Sequence, residues 1–199
     1  MRLFLLARHG QSLFNVEGVV NGDPLLDRGL SEQGIEEAQQ LGGQVMPIGI
    51  DLVVVSPFPR AVQTANIALG AREVPHELDD DLGDVRIGEL EGAPLEEYRA
   101  HPAHADRSLH FPGGESLDEA ARRYAAAFTR LLDRRERTTL VLCHDIPVRY
   151  AVNAATHSDD LNGPLRLVAN AAPYVFDESA LQRAVERIGS LAGRSEAGR

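Results

Sequence analysis

Leu3-Phe4-Leu5-Leu6-Ala7, running straight into Arg8-His9-Gly10, decides how this chain folds. Five apolar residues without alternation, cut off by charge and glycine, read as a strand buried on both faces. Two further runs match it: 52–55, ended by Ser56-Pro57, and 139–143, ended by His144-Asp145. Both are rich in valine, leucine and threonine, which suits a pleated strand. Helical patterns lie between and after them. Ser31 can cap a helix that passes through Ala38 and Leu41 until Gly42-Gly43 stops it. A second helix is expected over 58–69, ended by Gly70. The longest spans 116–135, with Leu117, Ala120, Ala121, Tyr124, Phe128, Leu131 and Leu132 at helical spacing. Others should follow Asp145 and cover about 178–191.

Strand and helix in alternation predict an α/β three-layer sandwich, a mostly parallel central sheet with helices on both faces. Segments 165–170 and 173–176 are candidates for a fourth and a fifth strand. The stretch 72–112 has little periodicity and holds prolines, glycines and four histidines. It is expected to be a lid-like excursion, reaching to about residue 115, that covers the site and sets specificity. The expected organisation is one domain over 1–192 and a flexible tail over 193–199.

Composition narrows the function. The chain has 199 residues, 43% of them apolar and 25% charged, as in ordinary globular domains. Lys and Arg number 20 against 30 Asp and Glu, a net charge of -10. Such a surface repels nucleic acid and anionic lipid, so neither is an expected partner. Cys143 is the only cysteine, which excludes an internal disulfide and suits a small core residue better than a reactive thiol. The 3–7 run is too short for a signal-peptide core and no run is long enough for a membrane span. A soluble, cytoplasmic protein is expected. Oligomeric state stays open, with a homodimer as the assembly allowed for.

Ligands of open α/β sheets bind beyond the carboxyl ends of the strands. The three strong strands bring Arg8, His9, Arg60 and His144 to that edge. Two arginines and two histidines converging there make an anion site, because a guanidinium donates to phosphate oxygens in pairs.

The motifs sharpen this. Arg8-His9-Gly10-Gln11-Ser12-Leu13-Phe14-Asn15 resembles the R-H-G-[EQ]-[ST]-x-x-N signature of the histidine phosphatase superfamily, which includes cofactor-dependent phosphoglycerate mutases. Ser56-Pro57-Phe58-Pro59-Arg60-Ala61-Val62-Gln63-Thr64-Ala65 is similar to its S-P-x-x-R-A-x-Q-T-A segment. Leu82-Gly83-Asp84, with Gly88 and Glu91-Gly92, resembles its L-x-E-x-x-x-G-x-x-E-G segment, and Gly113-Gly114-Glu115-Ser116 its G-G-E-S element. Val141-Leu142-Cys143-His144 fits the strand that brings in the second histidine of that family.

The resemblance implies a phosphatase for small phosphomonoesters that works without metal or cofactor through a phosphohistidine on His9. It implies that Arg8, Arg60 and a protonated His144 hold the phosphoryl oxygens, with Gln11 and Asn15 as neutral donors. His9 must then be neutral at its attacking nitrogen, its other nitrogen held by an acceptor such as a backbone carbonyl. Ser12, Asn21, Gly22, Ser116 and Asn170 are candidate lining residues. Two positions depart from the family pattern. Asp84 stands where a glutamate is usual as proton donor, leaving Glu89 and Glu91 as alternatives. Asp145 stands where glycine usually follows the histidine; it is expected to cap the next helix, or else to select a substrate with a cationic or hydroxyl group. His101, His104 and His110 sit in a proline-containing stretch without cysteine ligands, so no metal site is expected. Phosphoglycerate mutase is the alternative activity, although 99–112 has only Arg99 and Arg107 and lacks the arginine pair that mutases resemble one another in having. A non-catalytic phospho-ligand binder is the third reading.

Overall fold

In the computed structural model, which describes residues 1–193, the opening run is strand β1 (Leu3–Arg8). Helices α1 (Leu13–Glu17) and α2 (Glu32–Val45), strand β2 (Leu52–Val55), helix α3 (Pro59–Leu69) and strand β3 (His76–Leu78) follow. Then come α4 (Leu95–Ala100), α5 (Leu117–Leu132), β4 (Thr138–Cys143), α6 (Asp145–Ala155), β5 (Pro173–Asp177) and α7 (Glu178–Ala192). The sheet order is β3-β2-β4-β1-β5, parallel except for β5, which runs antiparallel to β1. Arg8 lies opposite Cys143, and Val55 opposite Leu142. The carboxyl ends of β1, β4 and β2 are therefore neighbours at one level of the sheet.

Side chains of these strands alternate between two cores, as the pleat requires. Phe4, Leu6, Leu52, Val54, Val141 and Cys143 pack with Tyr124 and Phe128 of α5, Tyr150 of α6, and Leu181 and Ile188 of α7. Leu5, Ala7, Val53, Val55, Leu140 and Leu142 pack with Leu41 and Val45 of α2 and Ala61 and Ala65 of α3. The expected three layers are there. No helix of the described residues is long and apolar enough to cross a membrane.

Several expectations need correction. Gly42-Gly43 does not stop α2, which runs to Val45. A Cβ on Gly42 would lie 2.7 Å from the Ala68 carbonyl oxygen, so that glycine is where α2 and α3 touch. Segment 165–170 is no strand; only Asn170 makes a bridge, to Arg8. Its backbone is bonded to side chains instead: Leu165 to Asn153, and Val168 to Asp145 and Arg8. The 72–112 stretch holds β3, α4 and three short 3-10 turns rather than irregular chain alone. Beyond Gly193, the expected tail lies outside the described residues.

The loop after β1 is pressed against the start of α2. A Cβ on Gly34 would lie 2.0 Å from the Gln11 carbonyl oxygen, and one on Gly10 would lie 2.4 Å from the Gly34 carbonyl oxygen. Gly34→Ala should gain about 1 kcal/mol of helix propensity. The clash with rigid backbone costs more, about 1–3 kcal/mol. A net loss of stability is expected in urea unfolding, and a more stable variant would show that the loop yields freely.

Candidate active site

His9 is the first residue beyond β1, and its backbone is fixed on both sides. Its N–H donates to the Cys143 carbonyl at 3.0 Å, and its own carbonyl accepts from Asn170 Nδ2 at 2.8 Å. The ring is buried, with Nδ1 2.6 Å from the Gly10 carbonyl oxygen. A carbonyl only accepts, so Nδ1 carries the proton and Nε2 keeps its lone pair. Arg60 agrees with that tautomer, since its Nε–H donates to His9 Nε2 at 3.0 Å. Burial, then the guanidinium groups of Arg60 and Arg8, hold His9 well below the ordinary imidazole range. The nucleophile expected from sequence is thus neutral at the required nitrogen.

Arg60 stands in the first turn of α3, where Pro59 opens the helix and the Arg60 N–H donates to Asp27 Oδ2 at 2.9 Å. Its Nη1 donates to Asn21 Oδ1 at 2.5 Å. Its Nη2 reaches the Asn21 carbonyl at 3.2 Å, Asp84 Oδ2 at 3.0 Å and His144 Nδ1 at 3.1 Å. One guanidinium therefore joins His9, Asp84 and His144. Arg8 donates through Nη1 to the Val168 carbonyl at 3.1 Å, while its buried Nε–H has no partner. Such an unspent donor is what an incoming oxyanion would use.

His144, at the end of β4, is fully buried with its ring centroid 5.2 Å from that of His9. Because Arg60 can only donate, His144 Nδ1 accepts; the Nε2–H then donates to Ser56 Oγ at 2.8 Å. Burial, with Arg60 and His9 beside it, pushes its pKa well below the usual range. Both the accepting Nδ1 and the lowered pKa favour the neutral ring. Asp84 goes the other way. Burial in the cavity raises its carboxyl pKa, and the nearby Arg60 charge offsets this only in part. Its Oδ2 lies 3.4 Å from His144 Nδ1.

The competing carboxylates are placed elsewhere. Glu91 accepts from Asn21 Nδ2 at 2.6 Å and from the Gly22 N–H at 2.8 Å, which braces the loop that holds Arg60. Glu89 is exposed. Asp145 is the first residue of α6, whose N-cap is His144, so the capping role fails. Its Oδ1 accepts from the Val168 N–H at 3.0 Å, and its Oδ2 lies 3.4 Å from Arg149 Nη2. Backbone and side-chain partners absorb its charge within the cavity wall.

Arg8, His9, Arg60, Asp84 and Asp145 line a cavity of about 770 Å³, with Gln11, Ser12, Asn15, Asn21 and Asn170 also in its wall; His144 is not among the lining residues and meets the site through Arg60. Residues of the excursion close another side: Val85, Ile87, Leu95, Tyr98, Arg99 and His104. Ser12 and Asn15 form the capping box of α1, so their polar atoms serve the helix first. Gly22 and Ser116 are outside the lining; Ser116 is the N-cap of α5, paired reciprocally with Glu119. His101 and His104 pack on Phe111, and His110 lies 2.8 Å from Glu119. Cys143 is buried, and burial pushes its thiol up, away from reactivity. No local pattern in the sequence points to Asp27 or to the structural role of Glu91. An Asp before Arg28-Gly29 looks like any turn residue until the fold sets it under Arg60.

Comparison with known proteins agrees with this architecture. A family model described as histidine phosphatase superfamily (branch 1) matches residues 4–190. A probable phosphoglycerate mutase, GpmB, of Erwinia tasmaniensis is 30% identical over 156 residues, covering 74% of this chain and 72% of its own. The human 6-phosphofructo-2-kinase/fructose-2,6-bisphosphatase 4 is 32% identical over 189 residues, or 88% of this chain. The match spans only 38% of that human protein. Among solved structures, Bacillus stearothermophilus YhfR superposes with a TM-score of 0.78 at 26% identity, covering 89% of this chain and 91% of that one. A mycobacterial glucosyl-3-phosphoglycerate phosphatase complexed with VO3 shares the fold, with a TM-score of 0.76, 23% identity and coverage of 89% and 93%.

Proposed function

Because the chain belongs to the histidine phosphatase superfamily, branch 1, we propose that it hydrolyses a small phosphomonoester through a phosphohistidine on His9. The observation that carries this reading is the neutral His9 ring, proton on Nδ1, with its Nε2 lone pair meeting Arg60 in a cavity that also holds Arg8 and Asp84. An entering phosphate dianion draws the Arg60 fork away from Nε2 and takes the free Arg8 donor. The same dianion favours uptake of a solvent proton at His144 Nδ1, turning that acceptor into a donor, and the proton returns to solvent when phosphate leaves. Nε2 then attacks phosphorus in line as the ester P–O bond breaks. Asp84, whose carboxyl pKa is raised by burial, gives its proton to the leaving alkoxide. In the second step its carboxylate takes a proton from water, whose oxygen attacks phosphorus and breaks the N–P bond. Inorganic phosphate leaves, and both residues return to their starting states.

Hydrolysis is favoured over the mutase reaction by the fate of the excursion arginines. Arg107 is bonded to Asp118 Oδ1 at 2.9 Å and to the Tyr150 hydroxyl at 2.8 Å, so of Arg99 and Arg107 only Arg99 lines the cavity. Phosphate release from a panel of phosphomonoesters, alongside interconversion of phosphoglycerate isomers, separates the two. Isomerisation faster than phosphate release would overturn the hydrolase reading; neither reaction would favour a binder.

The two shifted groups bound the working pH range. His9 is competent above its lowered pKa, so activity falls as pH drops through that value. Asp84 donates only below its raised pKa, so kcat for an alkyl phosphate falls as pH climbs through it. Asp84→Asn should abolish the alkaline limb on the same substrate. A limb unchanged in that variant would move the donor role to another group.

A further inference from the structure

We infer that Arg123, held by Glu115, is a positioning residue that sets the Asp84 carboxyl against the leaving oxygen; this rests on the phosphohistidine reading above. Arg123 lies on α5, a helix of 16 residues whose neighbours Tyr124 and Phe128 are fully buried. Its side chain is 8% exposed and reaches out of the helix into the turn that carries Asp84. Nη1 donates to the carbonyls of Asp81 at 2.8 Å and Gly83 at 3.0 Å, and Nη2 donates to the carbonyl of Asp84 itself at 3.0 Å. The same Nη2, together with Nε, meets the carboxylate of Glu115.

Glu115 closes the grip from the other side. Its Oε1 accepts from the Arg86 N–H at 3.0 Å, and its backbone N–H donates to the Arg86 carbonyl at 2.8 Å. One buried ion pair thus binds the loop on both flanks of Asp84. Residues 83–87 belong to no helix or strand, so these bonds do what a sheet ladder or helix would otherwise do. Aspartate makes the grip matter more. With two rotatable bonds to its carboxyl, the backbone largely dictates where the acid sits. Asp84 Oδ1 is further tied to the Val85 N–H at 3.0 Å, leaving Oδ2 beside Arg60 and His144.

The test is the dependence of rate on the leaving group. Expelling an alkoxide from an alkyl phosphate needs the Asp84 proton, whereas 2,4-dinitrophenolate leaves 2,4-dinitrophenyl phosphate without one. Arg123→Lys keeps the charge but loses the fork that spans three carbonyls. Displacing an acid by about 1 Å costs on the order of a hundredfold. In Arg123→Lys, kcat should therefore fall at least about tenfold more for the alkyl ester than for the aryl ester, with KM for the two changing alike. Glu115→Gln, which keeps its size and loses the ion pair, should show the same bias more weakly, and it serves if the lysine variant does not fold. Equal losses on the two esters, or none, would mean that Arg123 only supports the fold. Absence of His9-dependent turnover in the parent protein would overturn the phosphohistidine reading and this role with it.

Discussion

Alanine in place of His9 should lower kcat by roughly 10⁴-fold or more, as removal of a covalent nucleophile does. No neighbouring group can step in. His144 is fully buried and is not among the residues that line the cavity, and Asp84 is held by Arg60 and by the Val85 N–H. A water attacking directly would meet the charge of Arg8 and Arg60 but lose the in-line group that Gly10 orients. The measurement is phosphate release together with trapping of acid-labile, alkali-stable phosphoprotein from labelled substrate. His9→Asn, closer in volume, should be equally inactive while unfolding at nearly the parent denaturant concentration. Turnover of either variant within tenfold of the parent would remove His9 from the chemistry.

Arg60→Lys is the second large effect, and it isolates geometry from charge. The substitution keeps one positive charge, yet an ammonium cannot meet His9, Asn21, Asp84 and His144 at once from one plane. We expect kcat/KM to drop about a thousandfold, combining lost transition-state contacts with a misplaced acid. Stability should fall as well. Asp27 keeps the Arg60 N–H but loses the guanidinium 3.5 Å away, and its side chain is wholly buried. Unmatched buried polar groups cost about 1–3 kcal/mol. Kinetics on an alkyl phosphate and urea unfolding of the same preparation give both numbers. A variant within tenfold of the parent would show that charge alone suffices.

The parts of this molecule legible in the sequence are those where a local pattern has one physical reading. The three apolar runs read as buried strands, and their polar ends carry Arg8, His9 and His144, with Arg60 one turn into the helix after the second run. Segment 165–170 failed because its apolar residues looked like strand, while its backbone bonds go to Asn153, Asp145 and Arg8, which are far away in sequence. Gly42-Gly43 failed for a related reason: a glycine that ends a helix and one that lets two helices touch look the same in a string. From its neighbours alone Asp145 reads as a cap, whereas His144 takes that position because β4 runs directly into α6. The protonation of His144 depends on burial and on Arg60, 84 residues away, which no local window contains. The excursion shows in the sequence as a loss of period. Its walls at Tyr98, Arg99 and His104 needed the fold.

The order of the central strands has one more consequence. β2, β4 and β1 are neighbours in space, yet the chain visits them at residues 52–55, 138–143 and 3–8. The His9 ring, the Arg60 guanidinium and the His144 imidazole become adjacent only when all three strands have paired in register. Assembly of the candidate site is therefore coupled to pairing of the central strands. A partly folded chain, however much helix it had formed, would carry every reactive group and have no active site.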